Sequence, residues 1–423
     1  MTPWLMAVIL FGSLILFLAL GIPVSFAMGG ISLVLGFLFW GGLRSVDAFV
    51  LGSYSKITEA ILTALPLYIF MAAVLMYSDL ADELYEVIYR WFGGIRGGLA
   101  AGTTLIAAVF AAMVGVVSVS TAALGMVARP SMIKRGYDEK LTAGVIMAGG
   151  VLGILIPPSI VMIVYASESG VSAGALFMAG IVPGILAALI YIVYCLIRCL
   201  IQPELGPSVP REERFTLKEK FASLRGVIFP FFVILVVLGS IYLGIATPTE
   251  AGAVGAVGAL MAAAFRKKLT MENLKKIFIM TVRLNGMLFW ILIGAVAYAR
   301  IVTVTGVGSW FANWITDLDV NRWVILILIQ VFFLIIGMFI DTVAALLITA
   351  PLFLPVLSAL GFDLVWYGIL FVIAVCIGNM SPPFGISLFV MRGVAGDLTY
   401  GKNFAAGWPF ARSAAWAASG RSE

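Results

Sequence analysis

Two short stretches in the apolar part of this sequence contain the residue types that bind a small cation. Each holds a Pro-Pro pair: one stretch is GILIPPS from Gly153, and the other is GNMSPPFG from Gly378. Proline lacks the N–H that a carbonyl one helical turn earlier needs, so a helix breaks there and leaves carbonyl oxygens free. Carbonyls of an interrupted membrane helix are suitable ligands for Na⁺. Both stretches are therefore candidate cation sites.

A hydroxyl-rich or acidic turn precedes each Pro-Pro stretch. The first turn reads GVVSVSTAALG from Gly115, and the second reads GMFIDTVAA from Gly337. Hydroxyls add neutral oxygen ligands, although an isolated Ser or Gly can equally serve close helix packing. Two pairs of turn and break at matching places favour a binding site over packing alone. The hydroxyl residues of the two turns are Ser118, Ser120, Thr121 and Thr342.

Asp341 is the most informative single residue, because a carboxylate inside a membrane segment is a functional hypothesis by default. It could lie near Na⁺, pair with Arg300 or carry a proton. The structural alternative is that it caps the helix that begins at Thr342. Asn379, inside the second break, is a further site candidate. Glu59 and Glu250 lie near predicted helix ends, where a structural role is expected.

The composition identifies an integral membrane protein. Of the 423 residues, 62% are hydrophobic and 11% are charged, which is more apolar than a soluble surface allows. Apolar runs of about 18 residues or more recur between short loops, which is typical of spanning helices and excludes a β-barrel with its alternating segments. The predicted fold class is an all-α polytopic membrane protein.

Several kinds of chemistry are excluded. The sequence has no histidine, and its three cysteines lie in apolar segments, so a zinc site and a disulfide framework have no ligands. The P-loop pattern G-x-x-x-x-G-K-[ST] is missing, and the usual general base is absent. We therefore expect no enzyme activity, no cofactor and no transition metal. A channel would need polar stripes along several helices, and the sequence does not show them.

Charge predicts the topology. Ten apolar runs predict full crossings, the first of them at Pro3–Leu20 as a retained helix rather than a signal peptide. Two further stretches, about Leu99–Ile133 and Trp323–Leu360, predict hairpins that enter and leave on one side.

The blocks REERFTLKEK and FRKK are predicted cytoplasmic loops, with binding of anionic lipid or nucleic acid as the weaker alternative. With the N-terminus periplasmic, only six of the 26 Lys and Arg residues lie outside: Arg44, Lys56, Arg300, Arg322, Arg412 and Arg421.

A shift of 225 residues superposes the two halves, including Pro157-Pro158 on Pro382-Pro383. Five crossings per half is an odd number, so the second copy is predicted to be inverted, as in many secondary transporters. Thr121 resembles Thr342 at an offset of 221, which predicts hairpin arms of unequal length. Three regions are predicted: a first inverted repeat at 1–200, a cytoplasmic linker at 201–224 and a second inverted repeat at 225–423. The first repeat consists of scaffold helices 1–80, a connecting arm 81–98, a hairpin and broken helix 99–170, and a scaffold helix 174–200. The second consists of scaffold helices 225–305, a hairpin 321–360, a broken helix 362–391 and a last helix 402–418.

These motifs resemble a known family. The segments GVVSVSTAALGMVARPSMIKRGYDEKLTAG, AGGVLGILIPPSIVMIVYA, LFMAGIVPG, GMFIDTVAALLITAPLFLPV and IGNMSPPFGISLFV are similar to the large membrane subunit of tripartite ATP-independent periplasmic (TRAP) transporters. The resemblance implies an elevator-type, Na⁺-driven importer in the bacterial inner membrane. It also implies three partners: a small membrane subunit, a periplasmic binding protein and an organic acid such as a C4-dicarboxylate. A stand-alone Na⁺/dicarboxylate symporter of related architecture is the main alternative, and no nucleic acid is expected.

The resemblance also implies site residues. One Na⁺ would lie between the first turn and the first break, and a second between Gly337 and the second break. The first turn of this sequence departs from the Ser/Gly-dense form of many relatives. The implied cation ligands are Ser118, Ser120, Thr121, Gly153, Ile156 and Pro158 at the first site, and Gly337, Gly378, Ser381 and Phe384 at the second. The implied substrate contacts are Ser120, Thr121, Asp341, Thr342 and Asn379.

Overall fold

A computed structural model describes residues 2–78, 80–210, 214–396 and 399–418. The regular structure in these ranges is helical, with no β-strand among them. Helices satisfy every backbone N–H and C=O internally, as an apolar environment requires. The first ten α-helices are α1 (Pro3–Ala19), α2 (Val24–Phe39), α3 (Leu43–Ile57), α4 (Ala64–Met76), α5 (Leu80–Phe92), α6 (Gly98–Val114), α7 (Val117–Lys134), α8 (Glu139–Leu155), α9 (Ile160–Ser169) and α10 (Ala173–Ile201).

A short linker helix separates this series from a second one. The helices from there on are α11 (Leu217–Ser223), α12 (Arg225–Tyr242), α13 (Pro248–Phe265), α14 (Met271–Val304), α15 (Val307–Thr316), α16 (Arg322–Gly337), α17 (Thr342–Ala359), α18 (Leu364–Met380), α19 (Ile386–Val394) and α20 (Tyr400–Ala418). Most helices of the second half follow the order of the first, but the single helix α14 stands where the first half has α3 and α4, and α20 is shorter than α10.

The predicted all-α polytopic class is confirmed. Five helical segments of the described chain are long and apolar enough to cross a membrane, or six if α3 and α4, which are bent by 58°, form one span. The prediction of ten crossings also counted shorter apolar helices, such as α1, α2 and α18. The sequence patterns did not predict α3, which contains Arg44, Asp47 and Lys56, as a helix of its own between the apolar α2 and α4.

Helix bounds recur at the predicted offset. Shifting α7 and α8 by 225 residues reproduces the bounds of α17 and α18. The second hairpin arms, α7 and α17, are each 18 residues long, and the first arms, α6 and α16, have 17 and 16 residues, so the prediction that one arm is about one helical turn longer was wrong. The difference lies instead in the connections, which are 115–116 in the first hairpin and 338–341 in the second.

The core is centred on α8 and α18. Every residue of α8 from Leu141 to Leu155 is buried. The thiol of Cys376 in α18 donates a hydrogen bond of 3.4 Å to the carbonyl of Val151 in α8, and these two residues are 225 positions apart. The helices after the breaks are exchanged between the halves: α9 packs against α17 and α18, and α19 packs against α7 and α8. Helices of both halves therefore surround each break.

A polar cluster joins the end of α3 to the end of α9. Lys56 Nζ lies 3.0 Å from Glu168 Oε1 and 3.2 Å from Glu59 Oε2, and it donates a 2.9 Å hydrogen bond to the Ser167 carbonyl. Glu59 therefore has the structural role expected of it. Glu250 has one as well, because its carboxylate accepts hydrogen bonds of 2.8 Å from Thr247 in the capping box of α13.

Candidate cation and substrate site

The turn of the first hairpin places two buried hydroxyls without partners. Gly115 has a φ of +65°, a conformation that glycine tolerates, and α7 begins two residues later. Ser120 and Thr121 lie in the first turns of α7 with exposures of 1% and 0%. Neither side-chain oxygen has a hydrogen-bond partner in the described structure. A buried hydroxyl without a partner costs about 1–3 kcal/mol, which a ligand can recover.

The first break removes two helical hydrogen bonds next to these hydroxyls. Because Pro157 and Pro158 carry no N–H, the carbonyls of Gly153 and Ile154 lose their bonds to the residue four positions later. The Ser159 hydroxyl donates to the Ile154 carbonyl at 2.7 Å and so replaces one of them. The Ser159 hydroxyl makes no such hydrogen bond to the Gly153 carbonyl. The Pro157–Pro158 peptide bond is cis, as is Pro382–Pro383.

Glycines bring the first turn and the first break into contact. A Cβ atom added to Gly150 would lie 1.9 Å from Thr121 Oγ1, and one added to Gly153 would lie 3.1 Å from Ser120 Oγ. Gly115 is similarly close to the Pro158 carbonyl, at 3.2 Å from an added Cβ. The structure thus brings most of the first predicted cation site together. Of the remaining residues, Ser118 is half-buried on the first turn of α7, and Ile156 ends α8.

Asp341 caps the second arm of the second hairpin. Its Oδ1 accepts a 3.0 Å hydrogen bond from the Val343 amide, at the N-terminus of α17. The suggested ion pair with Arg300 is wrong: Asp341 has no ion pair among the described residues, and the Arg300 guanidinium lies 5.6 Å from the centre of the Trp40 ring. The half-buried carboxylate keeps acceptor capacity beyond the cap.

The second break repeats the first with different side chains. An added Cβ at Gly378 would lie 2.7 Å from the Leu334 carbonyl oxygen and 2.9 Å from Gly337 Cα, so the break fits closely against the end of α16. Pro382 cannot donate to the Gly378 carbonyl, which instead accepts a 2.9 Å bond from the Ser381 amide. The Phe384 side chain is 49% exposed and packs on Phe339, so only its backbone is a possible ligand.

A buried amide connects this break to the second turn. Asn379 Nδ2 donates to Thr342 Oγ1 at 3.1 Å, while Asn379 Oδ1 has no partner. Ser387 and Asn403 are two further buried residues with an oxygen that lacks a partner, and the sequence patterns did not identify them. Ser387 follows the second break within α19 and could have been noticed from that position. Asn403 lies in α20 among apolar residues, where nothing in its spacing indicates a site.

The fold and the paired, interrupted helices define a polytopic membrane transporter. The model of the tripartite ATP-independent periplasmic transporter, DctM component, matches residues 11–417. The chain therefore belongs to this family, that of the large permease subunits of TRAP transporters. Membership in a transporter family implies a permease rather than an enzyme, and it places the chain in a bacterial inner membrane as a multi-pass protein.

Three known proteins illustrate the similarity. The chain is 35% identical over 353 residues to the C4-dicarboxylate TRAP transporter large permease protein DctM of Pseudomonas aeruginosa, covering 83% of this chain and 82% of that protein. It is 30% identical to the ectoine TRAP transporter large permease protein TeaC of Halomonas elongata, covering 91% and 89%. The crystal structure of the Alcanivorax borkumensis YdaH transporter superposes with a TM-score of 0.66 at 17% identity, covering 96% of each chain, which is a likeness of fold.

Close packing at Gly378 gives a first prediction. Gly378→Ala places a methyl group against backbone atoms of α16, so we expect membrane insertion to be retained, stability to fall by about 1–3 kcal/mol and transport to be lost. The matched control is Gly286→Ala, where an added Cβ meets nothing within 4 Å. Thermal unfolding and uptake in proteoliposomes measure both effects. Normal transport by Gly378→Ala would contradict a functional role for this contact.

The cap at Asp341 gives a second prediction. Asparagine caps helices about as well as aspartate, so Asp341→Asn should unfold like the wild type, whereas Asp341→Ala should lose about 0.5–2 kcal/mol. We expect uptake to fall at least tenfold in both variants, because both remove the charge. Thermal unfolding and uptake separate the cap from the charge. Wild-type uptake by Asp341→Asn would leave this residue with a structural role only.

Proposed function

We propose that this chain is the Na⁺-coupled permease subunit of a TRAP system that imports an organic acid. A small membrane subunit would extend its scaffold, and a periplasmic binding protein would deliver the substrate. Family membership supports the tripartite arrangement. Similar proteins are named for C4-dicarboxylates and for ectoine, which share a carboxylate group. The proposed substrate is accordingly a small carboxylate of that general class.

The proposed mechanism is an elevator motion of two inverted repeats. Helix bounds that recur at an offset of 225 support the duplication, and the bond between the equivalent residues Val151 and Cys376 is the contact that a two-fold axis between the halves would produce. An odd number of crossings per half would turn the second copy over. The hairpins and broken helices would form the moving unit, and the N-terminus would be periplasmic, as the distribution of basic residues favours.

The observation that carries the Na⁺ proposal is the pair of orphaned hydroxyls beside the first break. Ser120 and Thr121 are fully buried, face glycines of α8 and have no partner, while the prolines leave the Gly153 carbonyl without its helical donor. Every one of these groups is an uncharged oxygen. A dehydrated Na⁺ would satisfy several of them at once, which supports a cation better than an anion at this position.

The substrate is proposed to lie between the two turns. Thr342 and Asn379 form a buried polar pair there, and the amide oxygen of Asn379 is free to accept a hydrogen bond. Asp341 would repel a bare carboxylate, so a bound cation or proton near it is needed before an acidic substrate can approach. This arrangement would make substrate binding depend on the coupling ion. Ser120 and Thr121 would contribute from the other side.

Dependence on a binding protein tests the tripartite proposal. We expect proteoliposomes that contain this chain and its small subunit to accumulate substrate only when both a Na⁺ gradient and the loaded binding protein are present. Radiolabelled uptake with each component omitted in turn provides the measurement. Uptake of free substrate without the binding protein would favour the stand-alone symporter instead.

Thr121 provides a test of the cation site. Thr121→Val removes a hydroxyl that has no protein partner, so we expect the Na⁺-free protein to be as stable as the wild type or about 1 kcal/mol more stable. Uptake should need at least tenfold more Na⁺. Thr103→Val is the control, because the buried Thr103 hydroxyl already donates to the Leu99 carbonyl at 2.7 Å. An unchanged Na⁺ dependence in Thr121→Val would remove this hydroxyl from the site.

A further inference from the structure

Part of the segment that joins the two halves folds back as a strap, defined here as residues 202–210. Its Val209 amide donates to the Gly93 carbonyl at 2.8 Å, and its Gly206 carbonyl accepts from Gly97 at 2.9 Å. Its Leu205 carbonyl accepts from the Asp138 amide at 2.9 Å. The strap therefore connects the loop between α5 and α6 with the loop between α7 and α8, and backbone hydrogen bonds fix it at both.

A cavity of about 430 Å³ lies under this strap. Its walls are Tyr89 of α5, Lys134 and Arg135 at the base of the first hairpin, and residues 207–210 of the strap. The Arg135 guanidinium lies 3.8 Å from the centre of the Tyr89 ring and donates to the Ser131 carbonyl at 3.0 Å, so it is held in place. An oriented guanidinium loses little freedom when it binds an oxyanion.

The two basic residues of the cavity have no acidic partner in the described structure, where no carboxylate lies within 4.0 Å of Lys134 or Arg135. Two acidic residues of the neighbouring helices α5 and α11, Glu86 and Glu219, are otherwise engaged. Glu86 pairs with Arg90 at 2.8 Å. The backbone amide and hydroxyl of Thr216 both donate to the Glu219 carboxylate at 2.8 Å, which holds the pKa of Glu219 below its ordinary value. The cavity thus has two positive charges to be neutralised.

The adjacent linker helix has the features of a membrane-surface helix. Leu217 and Phe221, four residues apart on one face of α11, are 70% and 61% exposed. Trp91 packs edge-on against Phe221, and its indole N–H donates to the Lys220 carbonyl at 3.0 Å. Exposed apolar residues beside lysines and aromatic rings are typical of the headgroup region of a bilayer. Tyr89 of the cavity wall packs edge-on against Phe215, two residues before α11, so the cavity lies next to this helix.

We infer that this cavity binds the phosphate headgroup of an anionic phospholipid of the cytoplasmic leaflet. The phosphate contacts the Arg135 guanidinium and the Lys134 ammonium, while the acyl chains remain beside α11. Basic pockets on the cytoplasmic side of membrane proteins bind such headgroups. The bound lipid joins the arm helix α5, the base of the first hairpin and the strap. The inference relies on the proposed function only for the cytoplasmic orientation of this face.

Native mass spectrometry of the purified protein in detergent tests the inference without requiring transport. We expect wild type to retain phosphatidylglycerol at least tenfold more tightly than phosphatidylethanolamine, and Lys134→Gln/Arg135→Gln to lose this preference. The control is Lys267→Gln/Lys275→Gln, which removes two exposed charges from the same predicted face outside the cavity and should bind like the wild type. Equal retention of both lipids by wild type, or loss of the preference in the control, would overturn the inference.

Two further measurements keep the test informative. Arg135→Lys keeps the charge but loses the stacked, two-pronged guanidinium, so we expect an intermediate loss of phosphatidylglycerol even if the double variant folds poorly. Millimolar inorganic phosphate should not displace the lipid. Full displacement by phosphate would show a site for a free anion and would overturn the lipid assignment, and wild-type binding by Arg135→Lys would remove the guanidinium from the site.

Discussion

The structure depends on how backbone carbonyls that lack a hydrogen-bond donor are tolerated inside an apolar protein. Proline at 157 and at 382 withholds an amide hydrogen from a glycine carbonyl four residues earlier, at Gly153 and at Gly378. In hydrocarbon such a loss costs several kcal/mol per group, so interrupted helices survive only when they are enclosed. This explains why α8 is buried from Leu141 to Leu155 and why helices of both halves surround the two breaks.

Not every polar group enclosed in this core has a hydrogen-bond partner. Most buried Ser and Thr hydroxyls donate to a carbonyl of their own helix, as Thr103 and Thr349 do. Ser120 and Thr121 do not, although they are as deeply buried. The hydroxyls of Ser159 and Ser381 replace part of the hydrogen bonding lost at the breaks, because they donate to nearby carbonyls. Asn379 Oδ1 at the second break also lacks a partner, so unpaired oxygens remain beside both breaks, which is the arrangement expected of a site that must release its ligand as well as bind it.

Much of this was predictable from the sequence, for identifiable reasons. Pro-Pro pairs are strong local signals, because they break a helix in any context, and the duplicated pair fixed the offset that the helix bounds follow. The role of Asp341 as a cap was one of four alternatives, since capping depends on where α17 begins. The ion pair of Asp341 with Arg300 could not be judged from sequence, because it depends on packing between distant helices. Asn403 was missed for the same reason: its partner, the Leu388 carbonyl, comes from another helix.

The two halves differ where α3 meets α9. An offset of 225 residues takes Lys56 to Thr281 and Glu168 to Gly393, so the second half has no counterpart of their ion pair. If the proposed sliding motion carries α9 past α3, this pair forms at only one end of the stroke. The two end positions would then differ in energy even without ligand. The protein would have a built-in preference for one resting side, against which bound ligands would have to act.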